Sequence, residues 1–125
     1  MGTIYGELQC SGSAVSRFAV EVGAATFQLS TSDANTDFKA YDTTLTAIKT
    51  GLSDITTGVR KRAVSWGPAG LSVTGDGLSP TTVAFDGSYG SGATISIGRN
   101  INGYIGPVAI WNYQMTDAQL QAITS

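Results

Sequence analysis

Residues 59–74 read VRKRAVSWGPAGLSVT and carry the clearest structural signal in the chain. The runs 59–66 and 71–74 are rich in residues that favour strands, and the Gly-Pro-Ala-Gly of residues 67–70 is a strong turn signal between them. The stretch therefore predicts a β-hairpin. Arg60, Lys61 and Arg62 would alternate between the faces of the first strand, so we expect a locally solvated segment rather than a track for phosphates.

The same alternation of apolar and polar residues recurs on both sides of this hairpin, in short runs separated by turn residues. After Pro107, the last run is apolar on both faces, which predicts a strand covered on both sides with Pro107 at a bulge or an edge. About ten short strands with frequent turns are typical of a sandwich or a barrel. Besides the hairpin, the predicted strands are 3–10, 17–22, 25–30, 38–41, 44–50, 81–85, 94–98 and 103–113.

One helix is predicted at the end of the chain. Thr116 followed three residues later by Gln119 forms a capping box. Met115 before the cap and Leu120 after it can form a hydrophobic staple. We expect a short helix that ends near Thr124 and covers the sandwich as a lid.

The composition limits the possible function. The 125 residues predict a single domain spanning residues 1–125. A net charge of −2 argues against nucleic-acid binding, which needs a basic surface. The N-terminus has no signal-peptide pattern, and no stretch is apolar enough to span a membrane. Cys10 is the only cysteine, and its place in the alternation of the first strand predicts a buried thiol.

The residues for common hydrolytic chemistry are missing. Histidine is absent, and Glu7 and Glu21 are the only glutamates, each on the polar face of a different strand. We therefore predict that the chain is not an enzyme. Asp33, Asn35 and Asp37 have a spacing that could supply oxygen ligands to calcium, but the EF-hand pattern is missing. We interpret them as a solvated loop and expect no metal or cofactor.

The C-terminal third contains a strand ending in Ile-Gly at residues 94–99, a Gly-x-Ile strand at 103–111, and a short Met-Thr-Asp-Ala-Gln-Leu helix from residue 115. Together with the opening strand and the 62–77 hairpin, these motifs resemble laminin-G-like, concanavalin-A-like domains. In particular, they resemble the versions carried on surface proteins of tailed phages and gene-transfer agents, such as tail fibres and head spikes. The resemblance covers most of the chain, with 31–58 matching loosely, and no residues match the metal ligands of legume lectins.

This resemblance implies an all-β, concanavalin-A-like jelly roll of two antiparallel sheets with one short C-terminal helix. It also implies a glycan- or receptor-binding domain on a virion surface, presented as a homo-oligomer, for which we expect a trimer. Trp66, Trp111 and Tyr113 are predicted to be in the core because of their strand context. Candidate ligand-binding residues are therefore the aromatic and polar side chains at strand ends and in loops: Tyr41, Tyr89, Tyr104, Asn35, Asp37, Arg99, Asn100 and Asn102.

The alternative is a structural module that packs on other virion proteins without binding sugar. Such a module would present a large, uncharged, apolar outer sheet face. The weakly charged stretch 43–57 is compatible with that reading.

Overall fold

The computed structural model describes residues 1–10, 20–22, 28–31, 36–41, 46–85, 95–97 and 103–125. Each strand in these ranges overlaps one that the alternation predicts, with ends that differ by a few residues. The elements are β1 (Gly2–Cys10), β2 (Val20–Val22), β3 (Gln28–Thr31), β4 (Phe38–Tyr41), β5 (Thr46–Lys49), β6 (Arg60–Gly67), β7 (Gly70–Gly75), β8 (Thr81–Val83), β9 (Ile95–Ile97), β10 (Gly103–Trp111) and α1 (Asp117–Thr124).

The strands pair antiparallel throughout the described part of the chain. Five of them form one sheet in the order β10-β1-β6-β7-β8. Opposite it lie a three-stranded sheet, β3-β4-β5, and the pair β2-β9, with β2 next to β3. Strands β4 and β5 pack against β7, so the two layers face each other as in a β-sandwich.

The core lies between these layers and is almost entirely apolar. Alternation along β1 turns Ile4 and Leu8 toward it, and Cys10 is buried there as predicted. Leu52 and Ile55 enter the same core from the connection between β5 and β6. The other buried members are Phe38, Ala40, Ala47, Val64, Trp66, Leu71 and Val73.

The predicted hairpin is the β6–β7 pair at the centre of the larger sheet. Gly67 pairs with Gly70 across the two-residue turn Pro68-Ala69. Gly70 has φ +117°, and an added Cβ would lie 2.6 Å from the Val83 carbonyl oxygen of β8. Only glycine can therefore lead the chain out of this turn beside β8.

The basic cluster on β6 does not form the solvated segment that the sequence predicts. Arg62 is 1% exposed and faces the interior, where its guanidinium lies 6.0 Å from the centre of the Phe38 ring. Its Nη1 donates to Asp76 Oδ1 at 2.7 Å, and its Nη2 donates to the Ser53 carbonyl at 2.9 Å. A buried charge requires such partners, and alternation alone does not reveal them.

Strand β10 is also more exposed than its apolar sequence predicts. It forms the edge of the five-stranded sheet and pairs only with β1 in the described chain, so its residues are half-buried or exposed. Pro107 lies both at this edge and in a bulge, where two residues of β10 oppose one of β1.

The predicted core position is confirmed for Trp66, which is buried, and Trp111 is half-buried. The prediction for Tyr113 is wrong, because its ring is 44% exposed. The chain leaves β10 at this point: the Tyr113 carbonyl accepts a hydrogen bond from Thr3 Oγ1 at 2.8 Å, and the ring stays outside.

Helix α1 lies on the outer face of the larger sheet, against β6 and β7. The capping box is present: the Gln119 amide donates to Thr116 Oγ1, and the Thr116 amide donates to Gln119 Oε1 at 2.9 Å. Met115 and Leu120 are buried together against Ala63 of β6, as the staple predicts.

Candidate ligand-binding site

Tyr104 presents an exposed aromatic ring on the outer face of the larger sheet. It pairs with Gln9, next to the Leu8–Ile105 pair, whose side chains pack into the core. Since successive side chains of a strand alternate between faces, Tyr104 lies on the side away from the core. The residue is 51% exposed.

Gly106 provides the space in which the Tyr104 ring lies. The bulge places Gly106 and Pro107 opposite Glu7 of β1. An added Cβ at Gly106 would lie 3.1 Å from Tyr104 Cε1, from Tyr104 Oη and from Glu7 Cβ. The ring therefore lies close over the glycine backbone, with the Glu7 side chain as its neighbour.

The Glu7 carboxylate is oriented by Tyr5, two residues earlier on the same face of β1. Tyr5 Oη donates to Glu7 Oε1 at 2.5 Å, a length typical of a hydrogen bond to an ionised carboxylate. The Tyr5 ring packs against the Ala63–Met115–Leu120 cluster under α1. Burial raises the pKa of Tyr5, and the hydrogen bond to Glu7 and the Glu7 charge raise it further. The phenol therefore stays protonated and remains a donor at neutral pH.

We define the Tyr104 site as Tyr104, Gly106, Glu7 and Tyr5. Within the described residues, Glu7 Oε2 has no hydrogen-bond partner, so it can accept one from a ligand. The site thus combines a flat, accessible ring with an oriented acceptor beside it. A ring and one fixed polar group are what a ligand with an apolar face and hydroxyl groups requires.

The nearest basic side chains of β6 are engaged elsewhere. Lys61 pairs with Glu7 across the sheet, but its Nζ donates to the Ser125 carbonyl oxygen at 2.5 Å. Arg60 donates to the Asp54 carbonyl and to Thr57 Oγ1. In the described part of the chain, Glu7 is therefore the charged residue that lies beside Gly106 and the Tyr104 ring.

A groove of about 450 Å³ lies elsewhere on the same sheet face, between the β6–β7 turn, β8 and the start of α1. In this groove, Gln114 Oε1 accepts a hydrogen bond from the Ala69 N–H, and Gln114 Nε2 donates one to the Gly70 carbonyl. The hydroxyls of Ser72 and Thr82 bond each other at 2.7 Å. These groups stabilise the fold and are less available to a ligand than Glu7. The lining residues are Ala69, Ser72, Thr82, Gln114, Met115, Thr116, Asp117 and Ala118.

The structure separates the candidate residues that the sequence analysis groups together. Tyr41 ends β4, and Asp37 directly precedes that strand. Both therefore belong to the smaller sheet, whereas Tyr104 lies on the outer face of the larger one. The remaining candidates lie outside the described residues: Tyr89, Asn35, Arg99, Asn100 and Asn102. Asp33, the first residue of the calcium hypothesis, lies outside them as well.

Sequence reasoning did not select Tyr5, Glu7 or Gly106. Alternation along the first strand puts Tyr5 and Glu7 on one face, but only the β1–β10 register brings them next to Tyr104. Among the described residues, no group of three or more His, Cys, Asp or Glu side chains could hold a metal ion. That same part of the chain contains no helix with the length and apolar content needed to cross a membrane.

Comparison with known proteins identifies a fold and no family. Neither the protein-family models nor the curated proteins give a match. A solved structure with a similar fold is a mutant of Trypanosoma rangeli sialidase displaying trans-sialidase activity, with a TM-score of 0.64 at 11% identity. The match covers 96% of this chain and 22% of the sialidase chain, so this chain spans about a fifth of that protein.

This comparison corrects the prediction that the chain is not an enzyme, because the protein that shares its fold is one. Missing histidine and unpaired glutamates are therefore insufficient grounds for excluding an enzyme. At 11% identity the similarity concerns the fold alone and transfers no activity to this chain.

Proposed function

We propose that this chain is a glycan- or receptor-binding domain of a phage-type virion surface appendage, a fibre or a spike. The finer fold that we propose is the concanavalin-A-like jelly roll of two antiparallel sheets. The observation that carries the binding function is the exposed Tyr104 ring beside the oriented Glu7 carboxylate. The placement on a virion rests on the motifs that resemble phage-type laminin-G-like domains.

The chemistry of the Tyr104 site suits a sugar. A pyranose has an apolar face that can lie on an aromatic ring, and hydroxyls around its edge that can donate to a carboxylate. Tyr104 offers the ring, and Glu7 Oε2 offers an acceptor. Such a shallow site binds weakly on its own. We therefore propose that several copies act together in a homo-oligomer, with three as the expected number.

The structural-module alternative requires a large apolar outer sheet face, and the weakly charged stretch 43–57 is compatible with it. In the described part of that stretch, Leu52 and Ile55 are buried in the core. Ile48 is exposed but pairs with Lys39 in the neighbouring strand. We therefore prefer the binding function and treat the alternative as an outcome of the test.

The test is a glycan array probed with the full chain and two tyrosine variants. Tyr104→Ala removes the ring from the site, and Tyr113→Ala removes a comparably exposed ring outside it. We expect saturable binding that falls by up to about tenfold with Tyr104→Ala, because an aromatic contact contributes roughly 0.5–1.5 kcal/mol, and that persists with Tyr113→Ala. Failure of the folded chain to bind any glycan would favour the structural module.

Gly106→Ala tests the same site without removing a contact group. Its Cβ would meet Tyr104 and Glu7 at 3.1 Å and displace the ring. At Gly58, a Cβ would meet only the Arg60 guanidinium, at 3.8 Å or more, so Gly58→Ala is the matched control. We expect Gly106→Ala to weaken binding several-fold and Gly58→Ala to leave it unchanged. Equal effects would show that the ring position over Gly106 is unimportant.

A further inference from the structure

We propose that the Tyr104 site selects neutral sugars and rejects acidic ones, such as uronic and sialic acids. This inference rests on the function proposed above and specifies the class of glycan. It comes from the charge and hydrogen-bonding character of the groups around the ring rather than from its shape.

The first argument concerns charge. Glu7 Cβ and the Tyr104 ring both lie beside Gly106, so a ligand lying on the ring is within reach of the Glu7 side chain. The basic residues of β6 nearest to Glu7 in register are Lys61 and Arg60. Lys61 donates a hydrogen bond to Ser125, and Arg60 donates hydrogen bonds to the 54–57 turn. A second carboxylate, on the ligand, would therefore meet the negative charge of Glu7, while the Lys61 ammonium donates to Ser125.

The second argument concerns hydrogen bonds. An ionised carboxylate only accepts, and a sugar hydroxyl can donate to it, whereas the carboxylate of an acidic sugar has no proton to give. The Tyr5 hydroxyl already donates to Oε1 at 2.5 Å, which leaves Oε2 to accept a hydrogen bond from a sugar hydroxyl.

The third argument is that the carboxylate cannot easily turn away from the ring. Its partner Tyr5 is packed against the buried cluster under α1. On the other side, Gly106 leaves Glu7 Cβ close to the β10 backbone. A ligand on the ring therefore meets an acceptor that is held in place.

The experiment uses an array of oligosaccharides in matched pairs that differ only in one carboxylate, such as a glucose oligomer and its glucuronate counterpart. Wild type, Glu7→Gln, Tyr104→Ala and Asp117→Asn are compared. Asp117→Asn removes the same charge from an exposed position on α1, outside the Tyr104 site.

We expect wild type to prefer the neutral member of a pair by about tenfold, less so at high salt because screening weakens the repulsion. Glu7→Gln should reduce the preference to about threefold or less, Asp117→Asn should keep it, and Tyr104→Ala should weaken both members. Binding that depends on Tyr104 but favours the acidic member, or treats both alike, would overturn the inference and leave the proposed function standing. Absence of Tyr104-dependent binding in a folded chain would overturn both.

Discussion

Arg62 is the residue whose environment departs most from its sequence context. Its charge is buried beside Phe38, and burial lowers its pKa while Asp76 opposes that shift. Among the described residues, Arg62 Nε is buried without a hydrogen-bond partner, and Asp76 supplies the opposite charge at 2.7 Å. Asp76 also accepts the Ser53 N–H at 2.7 Å, which joins the 51–58 segment to the turn after β7.

Asp76→Asn should therefore destabilise the fold strongly. Asparagine keeps the shape and tolerates the positive φ of 53° at this position, but it leaves the buried Arg62 charge uncompensated. We expect a loss of about 3 kcal/mol in the free energy of unfolding, measured by urea denaturation. Asp54→Asn, in the neighbouring 54–57 turn, is the control and should cost clearly less, because Asp54 is half-buried and pairs with no buried cation in the described residues. Equal losses would mean that the ion pair is not the cause.

The Tyr5 hydroxyl gives a second prediction at the scale of one residue. Its pKa in the folded chain lies above the ordinary 10.0, so the folded state holds the phenolic proton more tightly than the unfolded state. The stabilisation is complete below pH 10.0 and is lost as the pH rises toward the folded pKa. Phenolate absorbance, compared between wild type and Tyr5→Phe, should place this titration above the ordinary value.

Glu7→Gln checks the cause of that shift. The substitution removes the negative charge and the ionised acceptor, leaving burial as the remaining cause. We expect the Tyr5 titration to move to lower pH in this variant. An unchanged titration would show that Glu7 does not hold the Tyr5 hydroxyl.

At the scale of elements, the sequence predicts features set by neighbouring residues better than features set by long-range strand pairing. The capping box of α1 and the β6–β7 turn depend on neighbouring residues, so the sequence predicts them well. The exposure of β10 depends on having β1 alone as its partner, and its apolar sequence gives no sign of that. Alternation thus predicts strands but not their positions in a sheet.

The N-terminus of α1 gives the prediction that belongs to this scale. Thr116→Ala removes the hydroxyl that accepts from the Gln119 amide and should lower the free energy of unfolding by about 1 kcal/mol. Gln121→Ala, which removes an exposed contact with Ser79, should change it by no more than about 0.5 kcal/mol. Thermal or urea unfolding of both variants measures the difference. Loss of stability in Gln121→Ala alone would contradict the role of the cap.

At the scale of the whole molecule, the sequence predicts the β-sandwich more completely than the candidate site. Regular alternation and frequent turns are distributed along the chain, so the prediction of the architecture rests on many residues. The Tyr104 site instead depends on the pairing of the first strand with the last and on a bulge that sets Glu7 opposite Gly106 and Pro107. No local pattern encodes that register, and the sequence indicates Tyr104 only through its place near a strand end.

Pro107 affects whether neighbouring copies of the domain can pair through the edge strand β10. An edge strand with regularly spaced free amides invites a strand from a neighbouring molecule to continue the sheet. In β10, Pro107 has no amide proton to donate, and the bulge interrupts the regular spacing of its neighbours. Many copies can therefore be held side by side at high local concentration without this edge templating the growth of a fibre.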